Sequence, residues 1–164
     1  MYSTRISQHV RAPRAAVYRA LVDAAAIAMW RVPEGMTSTV HEFNAHEGGT
    51  FRVSLTYDAP TDTGKSAANT DTYHGHFAEL VPDEKVVEVM QFESDDEALR
   101  TAMTMTTTLT DAEDGTTVTI QHDGIPDHIP AEDNETGTRM ALSRLAALVE
   151  AREPDQRGDR ATAR

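Results

Sequence analysis

Four titratable side chains are the conceivable acids or bases of an enzyme, namely Tyr57, Tyr73, Glu88 and His122. General acid–base catalysis requires such a group within hydrogen-bond reach of a substrate inside an apolar cavity. His122 is the strongest of them, because it ends a predicted strand directly before Gly124-Ile125-Pro126. The sequence contains no nucleophile elbow, phosphate-binding loop, metalloprotease motif or Ser/His/Asp signature. Catalysis, with His122 as a weak candidate base, is therefore an alternative hypothesis.

The seven histidines raise the question of a metal site. His74 and His76 would project from the same face of one strand, and this spacing can supply two ligands. His41, His46 or His122 would have to supply a third, and no pattern in the sequence brings one of them to the pair. Exposed strand histidines explain the spacing better, so we expect no metal and no cofactor.

A second set of side chains is suited to contact a small apolar ligand. This set comprises Trp30, Phe51, Val53, Leu55, Tyr57, Tyr73, Met103, Met105, His122 and Arg139. Trp30 precedes Pro33 at the expected rim of a cavity, where a large ring contacts ligands well, and methionines form adaptable pocket walls. Arg139 would place a cation at the cavity mouth and bind a carboxylate. The competing interpretation is ordinary core packing for the apolar members and a surface position for Arg139.

Composition limits the classes of function. The chain has 164 residues, of which 39% are hydrophobic, enough for one domain to bury a core. Its formal net charge of −12 argues against binding to nucleic acid or anionic membranes, because both require clustered cations. It has no cysteine, which excludes disulfides and thiolate sites. No apolar run reaches the roughly 18 residues of a membrane span, and the start lacks an apolar signal core, so we expect a cytoplasmic protein without membrane insertion.

Hydrophobic periodicity predicts one strand, two short helices, about six further strands and a long last helix. The strands fall at residues 4–10, 37–43, 51–57, 71–80, 85–92, 101–110 and 116–122, and the helices at residues 13–22, 23–29 and 131–151. Asp114-Gly115 is the strongest hairpin signal, since it suits the positive φ angles of a tight primed turn. Residues 58–69 are predicted to form a loose polar loop, and residues 152–164 a disordered tail.

The last helix has to cover the sheet, because consecutive antiparallel strands cannot bury their apolar face alone. Its apolar stripe consists of Ala141, Leu142, Leu145, Leu148 and Val149. We therefore predict a single α+β domain over residues 1–151, in which a curved antiparallel sheet of six or seven strands wraps around this helix. Such an arrangement leaves a cavity between sheet and helix.

Five segments together resemble the START-like, or SRPBCC, superfamily in order and spacing. They are residues 10–21 (VRAPRAAVYRAL), 29–30 (MW), 48–52 (GGTFR), 75–82 (GHFAELVP) and 114–118 (DGTTV). They are most similar to the branch named for the activator of the heat shock protein 90 ATPase, C-terminal domain, and the resemblance extends over residues 3–151. It implies a helix-grip fold, often with an apolar internal cavity.

One segment departs from that pattern. The last helix of the branch often carries a Gly-Trp pair, whereas this chain has Gly137-Thr138. If the tryptophan forms part of the pocket wall in relatives, the pocket here is wider or more polar. Gly137 either allows close approach of a strand or ligand, or is simply tolerated in the helix.

The resemblance leaves the function open, since the superfamily includes lipid and hormone binders, polyketide cyclases and co-chaperone domains. The lack of catalytic signatures favours a binding protein for a small apolar or amphipathic molecule. A cyclase- or hydrolase-like enzyme acting on a hydrophobic substrate is the alternative. A co-chaperone role is less favoured, because the eukaryotic activator has an additional N-terminal domain for which we expect no room in this chain. Exposed sheet edges also allow a homodimer.

Overall fold

Seven strands and three helices follow one another in the predicted order. The computed structural model describes residues 1–59 and 69–152. Its elements are β1 (Tyr2–Val10), α1 (Arg14–Leu21), α2 (Ala24–Trp30), β2 (Met36–Phe43), β3 (Thr50–Tyr57), β4 (Thr70–Val81), β5 (Lys85–Phe92), a 3-10 turn (Glu97–Arg100), β6 (Met103–Ala112), β7 (Gly115–Ile125) and α3 (Ala131–Arg152). The α+β prediction is confirmed. Most of the predicted 58–69 loop and 152–164 tail lies outside the described residues.

The strands form one antiparallel sheet in the order β1-β7-β6-β5-β4-β3-β2. The face that carries Phe51, Phe77 and Ile120 is buried, and we call it the inner face. The opposite, outer face carries polar side chains such as Arg52 and His74. This alternation follows from the period of two in the strand sequences. Register is thereby fixed, because a slip of one residue would exchange the faces.

Local chemistry explains where several elements begin and turn. The Asp23 carboxylate accepts a hydrogen bond of 3.2 Å from the Ala26 N–H and caps α2. Asp114 has a φ of 58° in the β6–β7 turn, as the Asp-Gly signal predicts. At Gly75 an added Cβ would lie 1.9 Å from the Val89 carbonyl oxygen, so a larger residue would force the strands apart.

Helix α3 covers the sheet unevenly. Its buried residues are Thr138, Leu142, Leu145, Ala146 and Val149, while Ala141 and Leu148 are partly buried. Its backbone runs along β1 and packs against α1 and α2, whereas α2 approaches β2 and α1 approaches β6 and β7. Among the described residues, no α-helix backbone makes a comparable approach to β3, β4 or β5, although the 3-10 turn at Glu97–Arg100 approaches β5. Side chains therefore fill the space over the middle of the inner face.

A helix that spans a bilayer must be both long and apolar. Within residues 1–59 and 69–152, no helix has both the length and the apolar character needed to cross a bilayer.

Candidate functional site

The end of α2 directs an arginine onto the inner face of the sheet. Trp30, the last residue of α2, is 2% exposed and donates its indole N–H to the Ala20 carbonyl at 2.9 Å. Arg31 follows directly, and its backbone N–H bonds the Ile27 carbonyl at 3.0 Å. The tryptophan thus ties α2 to α1, and this anchoring fixes the point from which the arginine side chain extends.

The guanidinium of Arg31 forms a buried ion pair with Glu88 on β5. Arg31 Nη1 lies 2.8 Å from Glu88 Oε1, and the two side chains are 14% and 4% exposed. Nη2 points towards two methionine sulfurs, at 3.7 Å from Met90 and 3.5 Å from Met105. Because thioethers are weak acceptors, the N–H groups on this side of the guanidinium remain poorly satisfied by protein.

Tyr73 and His122 flank this arginine. The guanidinium carbon lies 5.6 Å from the centroid of the Tyr73 ring, within the range of a cation–π contact. His122 on β7 is the register partner of Met105 on β6, which is in turn opposite Glu88. The Tyr73 hydroxyl and His122 Nδ1 are both buried, and neither has a hydrogen-bond partner among the described residues. We call Arg31, Tyr73, Glu88 and His122 the inner cluster.

Burial and the charge of Arg31 set the protonation of the inner cluster. The pKa of His122 is lowered from 6.5 to about 4, first by burial and then by the Arg31 guanidinium, with Asp123 opposing both. Burial raises the pKa of Tyr73, although the positive charge of Arg31 opposes that rise. Burial alone would lower the pKa of Arg31, but Glu88 outweighs this effect and the pKa is raised. At neutral pH the inner cluster therefore holds one ion pair, a neutral imidazole and a neutral phenol.

This arrangement is better suited to hydrogen bonding than to proton transfer. A general base works best with a pKa near the operating pH. A pKa of about 4 leaves His122 unprotonated at neutral pH but makes it a weak base. Arg31 and Tyr73 can instead donate hydrogen bonds to a bound group. The neutral His122 can either donate one to that group or accept one from it, depending on its tautomer.

Comparison with known proteins identifies the family of the chain. Residues 11–150 match the family described as activator of Hsp90 ATPase homolog 1-like protein. The chain belongs to this family. Its membership agrees with the resemblance carried by residues 10–21 and the other motifs. No protein with a curated description matches the chain.

Solved structures of similar proteins share the fold. A protein from Chromobacterium violaceum is 34% identical, with 90% of this chain and 96% of that chain covered at a TM-score of 0.80. A protein from Rhodobacter sphaeroides is 21% identical, with 92% and 93% covered at a TM-score of 0.76. An AHSA1-like protein from Aeromonas hydrophila is 20% identical, with 92% and 93% covered at a TM-score of 0.70. The last two likenesses concern the fold alone.

Most of the sequence-predicted ligand contacts of this family member lie in its core. The buried ones are Trp30, Phe51, Val53, Tyr73, Met103 and Met105, each at most 8% exposed. The sequence predicted Trp30 at the rim of a cavity, but the residue is buried. Its indole packs inward and donates a hydrogen bond to the α1 backbone. Leu55 and Tyr57 are half-buried towards the end of β3. Of the predicted residues, Tyr73 and His122 belong to the inner cluster and Met105 contacts its arginine, whereas Tyr57 is not part of the cluster.

On α3 the structure distinguishes between the alternatives that the sequence left open for Arg139 and Gly137. The Arg139 side chain is 60% exposed and pairs with Glu135 at 3.4 Å, because its position faces away from the sheet. It borders a surface cleft of about 380 Å³, whose lining residues are Glu34, Thr136, Arg139, Met140, Ser143 and Arg144. An added Cβ at Gly137 would meet no described atom within 4 Å, so close approach of a strand does not explain this glycine.

The histidines behave as strand residues. His74 lies on the outer face and bonds Glu93, at 3.1 Å between Nδ1 and Oε2. His76 is exposed. Among the residues that the structure describes, no three His, Asp or Glu side chains are grouped so that they could hold a metal ion.

Sequence reasoning missed Arg31 and Met90. Glu88 gave a signal, since it interrupts the buried positions Val86 and Met90 of an alternating strand, where a charge needs a partner. No comparable signal in the sequence pointed to its partner, Arg31. Periodicity does not define the direction of a side chain at the end of a seven-residue helix.

Proposed function

We propose that this protein binds a small apolar or amphipathic molecule on the inner face of the sheet, with the polar end of that molecule against the inner cluster. The observation that carries the proposal is that two of the three buried side-chain polar atoms without partners in the described part of the chain, Tyr73 Oη and His122 Nδ1, lie in the inner cluster, while the third is Ser38 Oγ on β2. Buried polar groups are nearly always hydrogen-bonded, so two such atoms beside one arginine require an explanation. A ligand that bonds them supplies one.

The space for the ligand is the middle of the inner face. Here the sheet is covered by long side chains and not by a closely apposed α-helix backbone of the described residues. Arg31, Met90 and Met105 have several rotatable bonds each, and methionine adapts readily to different shapes. In this proposal the two methionine side chains move aside for the ligand, while Arg31 stays paired with Glu88. The fold of the family, which commonly accommodates hydrophobic ligands, agrees with this location.

The cleft bordered by Glu34 and Arg139 is our proposed entrance. It lies between α3 and the segment that leads from α2 to β2, three residues along the chain from Arg31. A ligand passing there would reach the inner cluster beneath the end of α2. In this proposal the exposed Arg139 borders the route and does not contact the bound ligand.

Native mass spectrometry of the protein purified from its own host, followed by organic extraction, tests the proposal. We expect a stoichiometric apolar passenger that survives native ionisation. Added apolar compounds should also raise the melting temperature, by an amount that grows with ligand concentration. An empty protein whose melting temperature no apolar compound changes would contradict the proposal.

The site can be located with the single tryptophan of the chain. Trp30 directly precedes Arg31, so a ligand at the inner cluster should change its emission. Thr136→Trp, made in a Trp30→Phe background, places the reporter on the surface cleft as a matched control. If a compound that raises the melting temperature alters only the emission of the tryptophan introduced at the cleft, the ligand lies there and the inner site is contradicted.

A further inference from the structure

We propose that the polar end of the ligand is an uncharged carbonyl or hydroxyl group, and that the inner cluster discriminates against a carboxylate or an ammonium group. This inference rests on the proposed function and specifies its ligand. It is carried by the charge balance, the available hydrogen-bonding atoms and the apolar surroundings of the inner cluster.

The charges of the inner cluster already balance. Arg31 and Glu88 are 2.8 Å apart and largely buried, so each neutralises the other. A ligand carboxylate would add a buried negative charge beside Glu88, and an ammonium group a positive one beside Arg31. Either would have to lose its hydration without a counter-charge, which is costly in a protein interior. An uncharged group avoids this penalty.

The unsatisfied atoms fit such a group. The Tyr73 hydroxyl can donate or accept, and the Nη2 side of Arg31 donates towards methionine sulfurs at 3.5 and 3.7 Å. A carbonyl oxygen has two lone pairs and replaces a weak sulfur acceptor with a strong one. A hydroxyl group can in addition donate to His122 Nδ1 when that nitrogen is the unprotonated one. Both groups therefore gain hydrogen bonds that the described part of the protein does not supply.

The surroundings of the inner cluster suit an apolar body attached to that group. Several core side chains of the inner face beside the cluster are aromatic, aliphatic or thioether groups, while the buried Thr4 lies opposite His122. The apolar ones are Phe51, Val53, Phe77, Met90 and Met105. Burying hydrocarbon against them provides the main binding energy, because apolar surface is removed from water. The polar group then determines which of several similar hydrocarbons is accepted.

Four probes with ten-carbon chains separate these cases, namely 2-decanone, 1-decanol, decanoate and decylamine, each titrated at pH 7.5 below its aggregation concentration. Binding is followed by the emission of Trp30 and by calorimetry. We expect the ketone and the alcohol to bind at least about tenfold more tightly than either charged probe. If decanoate or decylamine binds as tightly as the ketone, this inference fails while the proposed function survives. If none of the four binds, both fail.

Tyr73→Phe tests the assignment of the hydrogen bond. Because the Tyr73 hydroxyl has no partner among the described residues, the variant should be at least as stable as the wild type. Its affinity for 2-decanone should fall roughly three- to tenfold, the value of one hydrogen bond. Tyr18→Phe is the matched control, because Tyr18 lies on α1 near Asp83 and Glu47, away from Arg31. Equal ketone affinities in both variants and the wild type would overturn the role of Tyr73.

Discussion

Two clusters of similar composition lie on opposite faces of one sheet. The inner cluster contains an Arg–Glu pair and His122, and the outer cluster contains Arg52, Glu93 and His74. The distances are alike, with an N–O separation of 2.8 Å in each Arg–Glu pair. The exposures differ, at 14% and 4% for Arg31 and Glu88 against 45% and 32% for Arg52 and Glu93. The two pairs thus differ much more in their exposure to solvent than in their shortest N–O distance.

The outer cluster is a better-satisfied structure than the inner one. Arg52 binds Glu93 through two nitrogens, at 2.8 and 3.0 Å, and His74 adds a third bond at 3.1 Å. The pKa of Glu93 is lowered, first by the hydrogen bond from Arg52. The inner cluster is less exposed to solvent and leaves polar atoms without a partner among the described residues. Selection for stability alone would not favour such a buried, incompletely bonded cluster, so the contrast supports a role of the inner cluster in binding.

The largest expected effect is the loss of the inner carboxylate. Glu88→Gln leaves the Arg31 guanidinium buried without a counter-charge and should reduce the free energy of unfolding by about 3–5 kcal/mol. Glu93→Gln, the matched change on the outer face, should reduce it far less, because water still solvates Arg52. Urea unfolding followed by Trp30 emission compares the two. Similar losses in both variants would show that burial does not distinguish the clusters.

Acid should also affect the inner cluster more than the outer one. The pKa of His122 is about 4 in the folded protein and 6.5 as its ordinary value, so the unfolded chain binds the proton first as pH falls. The associated stability is complete above about pH 6.5 and is lost as pH drops towards 4, with a total of about 3 kcal/mol.

The variant His122→Gln isolates this effect. It should remove that part of the pH dependence of the free energy of unfolding, measured at closely spaced pH values across the window between the two pKa values. His74→Gln on the outer face is the control, and it should retain the same loss between pH 6.5 and 4, because His122 is still present. If His122→Gln shows the pH dependence of the wild type, another group is responsible.

The two clusters also differ in how many of their residues can be placed from the sequence alone. Strand alternation places Arg52 and His74 on the polar face and Glu88 at a buried position, and turn chemistry predicts the Asp114 hairpin. Local patterns therefore determined the fold and the strand residues of the site. Arg31 depends on how α2 packs across the sheet, which is a tertiary property that no local period encodes.

A smaller effect is expected from salt on the outer cluster. Exposed charges are screened at high ionic strength, whereas buried pairs are screened much less. A double-mutant cycle with Arg52→Gln and Glu93→Gln should give a coupling energy that falls between low salt and about 1 M salt. The equivalent cycle with Arg31→Gln and Glu88→Gln should give a larger coupling that salt hardly changes. A salt-sensitive inner coupling would mean that water reaches Arg31.

The smallest expected change in stability comes from replacing the whole inner pair. In Arg31→Met/Glu88→Met both charges disappear together, and apolar replacement of a buried ion pair is often neutral or stabilising. We expect this variant to be no less stable than the wild type in urea, in contrast to the single Glu88→Gln change. Its preference for 2-decanone over decane, measured by Trp30 emission, should fall but not vanish, because the Tyr73 hydroxyl can still bond the ketone. A stable variant with a reduced preference would indicate that the ion pair serves ligand recognition, whereas a destabilised variant with an unchanged preference would assign the pair to folding.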